Sequence, residues 1–330
     1  MIKIKIDPNL AKDYFKLLNS SKGKYISPKK KLENWLVDNA HHPSRGVIKY
    51  LIKNFKALIE ESPQKHQKRI DEFVKLGHHQ KVYDQKANKL TKFGNEIKDI
   101  FNYKAFRKSK KALWISQQLN IKTCVYCNTQ YALTVRNNKQ TKMLFHLDHF
   151  FPKSVYPWLS LSLYNLIPCC ASCNMSKSDN PYRLTENIHP YVDCLDDIAK
   201  YEADANSLSQ FLLDINKCEH KIKLKLRLRN AYVSDRISQL KLTNYNNDFK
   251  TETQYKQFND IVAETYLKAL YHNKYRRKEL IQFFEKQNKG TVNDELINRF
   301  IIGNYTDEKD LLKRPLAKMM RDISKDFGLI

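Results

Sequence analysis

The sequence predicts an α+β protein that is mainly helical, with a small central module of two strands and one helix. Three observations predict this class. Apolar residues recur at helical spacing before residue 120, apolar and polar residues alternate after residue 128, and two CxxC pairs bracket the alternating segment. With 330 residues, the chain is long enough for two or three domains. The predicted domains are a helical, strongly basic region that binds a partner or nucleic acid (1–120), the central module (121–182) and a mixed, mostly helical region (183–330).

The first 120 residues contain two helix start signals and two amphipathic stripes. Asp7-Pro8 and Ser27-Pro28 each place a capping residue before a proline, which is typical of a helix start. VIKYLIKNFKALIEE (47–61) repeats apolar residues at helical spacing, and KAFRKSKKALWISQQL (104–119) adds a face rich in Lys and Arg. The apolar faces predict an ordinary helical core.

The central segment has the pattern of a β-hairpin. Polar and apolar residues alternate in TQYALTV (129–135), which is typical of a strand. A turn is expected in RNNKQTK (136–142), and the second strand is expected in MLFHLDHFF (143–151). A short helix is expected to start near Ala171.

The last third of the chain combines one alternating segment with helical patterns. HKIKLKLRLRN (220–230) alternates basic and apolar residues, which fits a strand with a functional cationic ridge and equally a solvated edge strand. Residues 253–287 and 306–326 are expected to be helical.

Composition limits the classes of function. Only 7 glycines occur and no glycine-rich phosphate loop is found, so an ATPase or a dinucleotide enzyme is not expected. Lys and Arg outnumber Asp and Glu by 59 to 35, a net charge of +24 that favours nucleic acid as a partner. Residues 1–120 hold 27 basic and 11 acidic residues, hence +16 of that charge. No run of 18 apolar residues and no signal-peptide core occur, so no membrane association and a reducing, cytoplasmic location are expected.

Two cysteine pairs predict a structural zinc site. Cys124 and Cys127 form CVYC, and Cys170 and Cys173 form CASC, so four thiolates can surround one tetrahedral Zn²⁺. Buried free thiols are the alternative. Cys194 and Cys218, near His189 and His220, leave a second metal site as a minor possibility.

Residues 120–182 resemble the HNH endonuclease family, in its zinc-bearing branch with a ββα-metal fold. The resemblance lies in LDHFFPKSVYPWLSLSLYNLIPCCASCNMSKSD (147–179), together with the two CxxC pairs. The third position of the family motif, often His, is Asn174 here, so this is an HNN version. In more detail, the segment is similar to the HNH subunits of prokaryotic anti-phage defence systems of the Septu and retron-associated types.

The resemblance implies a role for each polar residue of the motif. His149 suits the general base, and Asp148, its neighbour on a strand, points to the opposite side and can bind the catalytic metal. Asn165 would hold His149 through its backbone or ring. Asn174 would supply the second ligand, and two oxygen ligands favour Mg²⁺ or Mn²⁺ over Zn²⁺. His146 is expected to pack or to support the site.

Phosphate contacts and partners complete the interpretation. Lys153 and Lys177 are candidate phosphate contacts, or equally solvated surface lysines. The predicted activity is metal-dependent hydrolysis of DNA by a defence effector that acts with an ATPase or another sensor on a separate chain. RNA, including tRNA, is the competing substrate, and a non-catalytic zinc module that binds nucleic acid or a partner is the competing class of function.

Overall fold

The computed structural model describes residues 1–21, 25–136, 141–215, 221–288 and 291–330. Over these residues the protein is mainly helical, with four two-stranded antiparallel sheets. Cα–Cα distances divide it into two compact units, one of residues 4–120 and 133–192 and the other of residues 1–3, 121–132 and 193–330. The predicted boundaries near residues 120 and 182 stay predictions.

The first unit contains ten α-helices and three two-stranded sheets among its described residues. In chain order they are α1 Leu10–Asn19, α2 Pro28–Asp38, α3 Arg45–Lys53, α4 Phe55–Glu60, α5 Pro63–Lys75, α6 His79–Val82, β1 Tyr83–Asp84, β2 Lys89–Leu90, α7 Lys92–Phe101, α8 Tyr103–Arg107, α9 Lys110–Leu119, β3 Thr134–Arg136, β4 Thr141–Met143, β5 His146–His149, β6 Leu166–Cys169 and α10 Ala171–Lys177.

Side-chain caps explain where several of these helices begin and end. Helix α2 starts as predicted, with Pro28 in its first turn and the Ser27 hydroxyl accepting from Lys30 N–H at 3.3 Å. The stripe at 47–61 is two helices that meet at Asn54 rather than one. The stripe at 104–119 is likewise divided, because the Ser109 hydroxyl accepts from Lys111 N–H and begins a new helix.

The strands of the central segment pair differently from the predicted hairpin. Strands β3 and β4 form a short hairpin, with Thr134 opposite Met143, and part of its predicted turn, 137–140, lies outside the described residues. Strand β5 pairs instead with β6, with His149 opposite Leu166. Helix α10 begins at Ala171 as predicted, capped by the Cys170 sulfur, which accepts from Cys173 N–H.

The second unit contains one two-stranded sheet and eight α-helices among its described residues. They are α11 Leu195–Ile198, β7 Ala199–Ala203, α12 Ala205–Leu213, β8 Leu224–Leu228, α13 Arg236–Phe249, α14 Thr251–Tyr255, α15 Asn259–Tyr271, α16 Lys274–Asn288, α17 Asp294–Ile302 and α18 Ala317–Asp326.

Strand β8 confirms the predicted alternation. Leu224 and Leu226 are buried, whereas Lys225 and Arg227 are exposed, and β8 pairs with β7 along its length. The helices expected at 253–287 correspond to most of α14 through α16, and that expected at 306–326 is confined to α18. Within the described residues, no helix has both the length and the apolar character needed to cross a bilayer.

Candidate functional site

A strand–strand–helix arrangement positions the candidate catalytic residues. Asp148 and His149 are the last two residues of β5, and β6 lies antiparallel to them and leads directly into α10. The connection between the strands carries apolar side chains that are themselves buried, including Phe151, Trp158 and Leu159. The sheet therefore holds Asp148 and His149 on a fixed backbone.

His149 is buried and held by a backbone carbonyl. Its side chain lies with Nε2 2.9 Å from the carbonyl oxygen of Ser160, and its ring meets that of Tyr103 edge-on at 4.4 Å between centroids. A carbonyl can only accept, so neutral His149 carries its proton on Nε2 and keeps the lone pair on Nδ1. Burial, with Lys153 as the next cause, lowers the pKa of His149 to about 3, so the imidazole is neutral at pH 7.

Asp148 is buried beside Lys177. The Lys177 Nζ lies 3.4 Å from Asp148 Oδ2 and donates to the carbonyl oxygen of His149 at 2.7 Å. It also lies 4.6 Å from the centroid of the Tyr182 ring. Lys177 has 0% of its surface exposed, so the alternative of a solvated surface lysine is wrong, whereas its contact with phosphate stays a prediction. Its ammonium instead compensates the charge of Asp148 and fixes the end of β5.

Asn165 holds the connection between β5 and β6. Its Oδ1 accepts from Phe151 N–H at 2.7 Å, and its Nδ2 donates to the carbonyl oxygens of Phe151 and Leu159, each at 3.0 Å. These bonds go to the loop rather than to the imidazole. Asn165 thus fixes the loop that carries the Ser160 carbonyl, and that carbonyl meets His149.

The remaining predicted site residues lie around this pair. Asn174 is half-buried on α10, one turn before Lys177, so the two side chains share a face of the helix. Lys153 is partly exposed, with its Nζ 5.6 Å from the centroid of the Tyr103 ring. His146 is exposed at the start of β5. The catalytic and phosphate-binding roles of Asn174 and Lys153 stay predictions.

Four cysteines form a cluster that could bind a metal ion such as zinc. The sulfur atoms of Cys124, Cys127, Cys170 and Cys173 all lie within 4.8 Å of one another. Sulfurs around a tetrahedral Zn²⁺ are about 3.8 Å apart for Zn–S bonds of about 2.3 Å, so the donor set fits this ion. The Cys127 sulfur also accepts from the backbone N–H of Thr129 at 3.4 Å.

The minor second metal site is not formed by the described residues. Cys218 and His220 lie outside them. His189 is buried, with its ring 4.2 Å from that of Phe150, which is a packing arrangement.

Sequence reasoning missed two groups that contact His149. Tyr103 contacts the imidazole and also donates from its hydroxyl to Leu147 O at 2.7 Å, and it comes from α8, far away in sequence. Ser160 acts through its carbonyl, so its residue type gives no signal. Lys177 comes three residues after Asn174, and this helical spacing could have predicted that both side chains lie on the same face of α10.

Comparisons with known proteins find short local similarities. No protein-family model and no solved structure matches the chain. Protein ea31 of Escherichia phage lambda is 40% identical over 57 residues, which are 16% of this chain and 18% of that protein. The Septu protein PtuB of Bacillus thuringiensis is 34% identical over 70 residues, which are 21% of this chain and 24% of that protein. The chain therefore spans about a fifth to a quarter of these relatives.

Proposed function

We propose that this protein is a metal-dependent endonuclease of the HNH type that hydrolyses phosphodiester bonds. The observation that carries the proposal is the placement of Asp148 and His149 at the end of β5. The carboxylate of Asp148 meets α10, which carries Asn174, whereas the ring of His149 meets the Ser160 carbonyl. A base and a cation-binding oxygen are thus adjacent in sequence but separated in space, as this chemistry requires.

His149 acts as the general base. The hydrogen bond from Nε2 to the Ser160 carbonyl orients the ring and leaves Nδ1 to accept a proton from water. A bound phosphodiester would bring negative charge to the site and raise the pKa of the imidazole toward neutrality. Asn165 supports this geometry by fixing the loop that carries the carbonyl.

Asp148 and Asn174 would hold the catalytic ion. A carboxylate and an amide oxygen are hard ligands that favour Mg²⁺ or Mn²⁺ and leave positions for water and phosphate oxygens. Such an ion supplies positive charge to the phosphate and the leaving oxygen. The Lys177 ammonium, 3.4 Å from Asp148 Oδ2, would share this carboxylate with the ion.

The net charge and the relatives support a substrate class and a biological role. A net charge of +24 favours binding to a polyanion such as nucleic acid. We propose DNA as the substrate in preference to RNA. The similarity to the Septu protein PtuB supports a part in anti-phage defence, beside an ATPase or another sensor on a separate chain. The cysteine cluster would hold a structural Zn²⁺.

The test is a cleavage assay with a matched control on the same strand. Purified protein, alone and with the products of neighbouring genes, is incubated with plasmid DNA and with total RNA in Mg²⁺ or Mn²⁺. Cleavage should be lost in His149→Ala and retained in His146→Ala, because His146 is exposed on β5. Preferential cutting of RNA would show that RNA, and not DNA, is the substrate. Equal cutting by His149→Ala and by the wild type would reject His149 as the general base.

A second candidate function is a non-catalytic module that binds nucleic acid or a partner. The contact between Lys177 and Asp148 favours it, because a carboxylate already compensated by a buried ammonium is stable without an ion. This function predicts unchanged nucleic-acid binding in His149→Ala and no cleavage by the wild type in any of these conditions.

A further inference from the structure

A cavity of about 360 Å³ lies beside the loop that follows His149. Its walls come from the β1–β2 hairpin, from α7, from Ser154 and Val155, and from Asp179. Ser154 is five residues after His149, and Asp179 is two residues after Lys177. Two of the segments that line the cavity are therefore close in sequence to residues of the candidate catalytic site, and all of these residues belong to one compact unit.

Local contacts fix the outer wall of this cavity. The Thr91 hydroxyl accepts from Gly94 N–H at 2.9 Å and donates to Lys81 O at 2.6 Å, so the start of α7, just after the hairpin, is tied to α6, just before it. A Cβ at Gly94 would lie only 2.0 Å from the carbonyl oxygen of Val82, which shows how closely α7 approaches the backbone before β1. The hairpin and the helix thus form one preorganised support.

The cavity is cationic and lined by hydrogen-bonding groups. Lys89 and Lys98 are exposed at its wall, and no ion pair of either is found among the residues that the structure describes. Asp179 is the carboxylate in the lining, which leaves a net charge of +1 with the two ammonium groups. The hydroxyl oxygen of Ser154 is buried and has no hydrogen-bond partner in the described part of the chain. The two exposed ammonium groups and the net charge of +1 match a singly charged anion.

We propose that this cavity binds one backbone phosphate of the nucleic-acid strand that is cut at His149. The inference rests on the proposed function, because it takes the polyanion of that reaction as the ligand. Lys89 and Lys98 supply the positive charge that binds the phosphate. Binding a phosphate next to the cleaved one sets the register of the strand without reading its sequence.

The test measures binding separately from cleavage. In a His149→Ala background, Lys89→Gln/Lys98→Gln is compared with Lys68→Gln/Lys75→Gln, a pair of exposed α5 lysines outside the cavity with the same change of charge. Fluorescence anisotropy follows binding to labelled duplex DNA and to RNA of the same sequence between roughly 50 and 200 mM salt. The cavity pair should weaken binding about 3- to 10-fold more than the control pair. It should also reduce the slope of log K against log salt by about 0.7 to 0.9, the value for one phosphate.

Each outcome decides the proposal. Equal losses and equal slopes in the two variants would overturn the cavity as a phosphate site, even if the wild type cuts nucleic acid. A selective loss in the cavity variant, with no cleavage by the wild type, would support the phosphate site and reject the nuclease. Absence of salt-dependent binding to both nucleic acids would overturn the inference and the proposed substrate together. A melting temperature equal to that of the background confirms that both variants are folded.

Discussion

The ammonium group of Lys177 lies 2.7 Å from the carbonyl oxygen of His149 and 3.4 Å from a carboxylate oxygen of Asp148, with no surface open to solvent. Removing this group takes a charged donor away from a buried carboxylate and a buried carbonyl. We expect Lys177→Met to lower the free energy of unfolding by about 3 to 5 kcal/mol, the usual cost of breaking a buried ion pair from one side. Urea unfolding measures the change.

A double-mutant cycle separates the ion pair from the loss of packing. Asp148→Asn combined with Lys177→Met should cost less than the sum of the two single changes, because no unpaired charge remains. Lys153→Met, at a partly exposed position of the same unit, is the control and should change stability by less than about 1 kcal/mol. A strictly additive cycle would contradict the pairing.

Acid should destabilise the fold through buried imidazoles. Burial lowers the pKa of His66 to about 4 and that of His149 to about 3, from 6.5. Between pH 6.5 and these values the unfolded chain binds protons that the folded protein does not, so stability is complete above pH 6.5 and falls as the pH drops. Each imidazole contributes up to about 1.4 kcal/mol per pH unit in that window.

A substitution at His66, which is not one of the candidate catalytic residues, tests this linkage. His66→Gln keeps a polar side chain near the Ser162 hydroxyl but cannot titrate. The loss of stability between pH 7.5 and pH 5 should shrink by up to about 2 kcal/mol relative to the wild type. His41→Gln, at an exposed position, should leave the profile unchanged. Parallel profiles for the wild type and His66→Gln would show that His66 is not the group responsible.

Local chemistry made part of this fold predictable. The start of α2 at Ser27-Pro28, the start of α10 at Ala171 and the alternation of β8 depend on neighbours in sequence, and all three are confirmed. The pairing of β5 with β6 was not predicted, because strand partners are chosen by contacts across a long connection. The burial of Lys177 was missed for the same reason, since both of its partners lie on β5.

The two asparagines of the candidate site should respond in opposite ways. Asn165→Ala leaves one N–H and two carbonyl groups of the buried loop without their partner, at about 1 to 3 kcal/mol for each unsatisfied group. Asn174 is half-buried on α10, so Asn174→Ala should cost less than about 1 kcal/mol. On the proposed function, Asn174→Ala nevertheless loses cleavage. Urea unfolding and a cleavage assay on both variants measure the contrast, and an active, stable Asn165→Ala would contradict it.

The cysteine cluster should hold one zinc ion per chain. Cys124→Ser and Cys173→Ser each remove one of four thiolates, so zinc content and melting temperature should both fall. Cys194→Ser is the matched control, because Cys194 is buried but outside the cluster. Elemental analysis and thermal unfolding measure the two effects. Full zinc content in Cys124→Ser would remove this residue from the ligand set.

The close approach at Gly94 gives a test of the support for the proposed phosphate cavity. A methyl group there would meet the Val82 carbonyl oxygen at 2.0 Å, whereas a methyl group at Gly46 has its nearest neighbour at 3.9 Å. Gly94→Ala must displace α7 from that carbonyl and should cost about 1 to 3 kcal/mol. Gly46→Ala should be neutral or stabilising by up to about 1 kcal/mol, because alanine favours the helix. Urea unfolding measures the stability of the two variants.

Because α7 carries Lys98, Gly94→Ala should also weaken nucleic-acid binding, whereas Gly46→Ala should not. Equal stability of the two variants would mean that α7 can move away from the Val82 carbonyl at no cost, and the cavity wall would then not be preorganised.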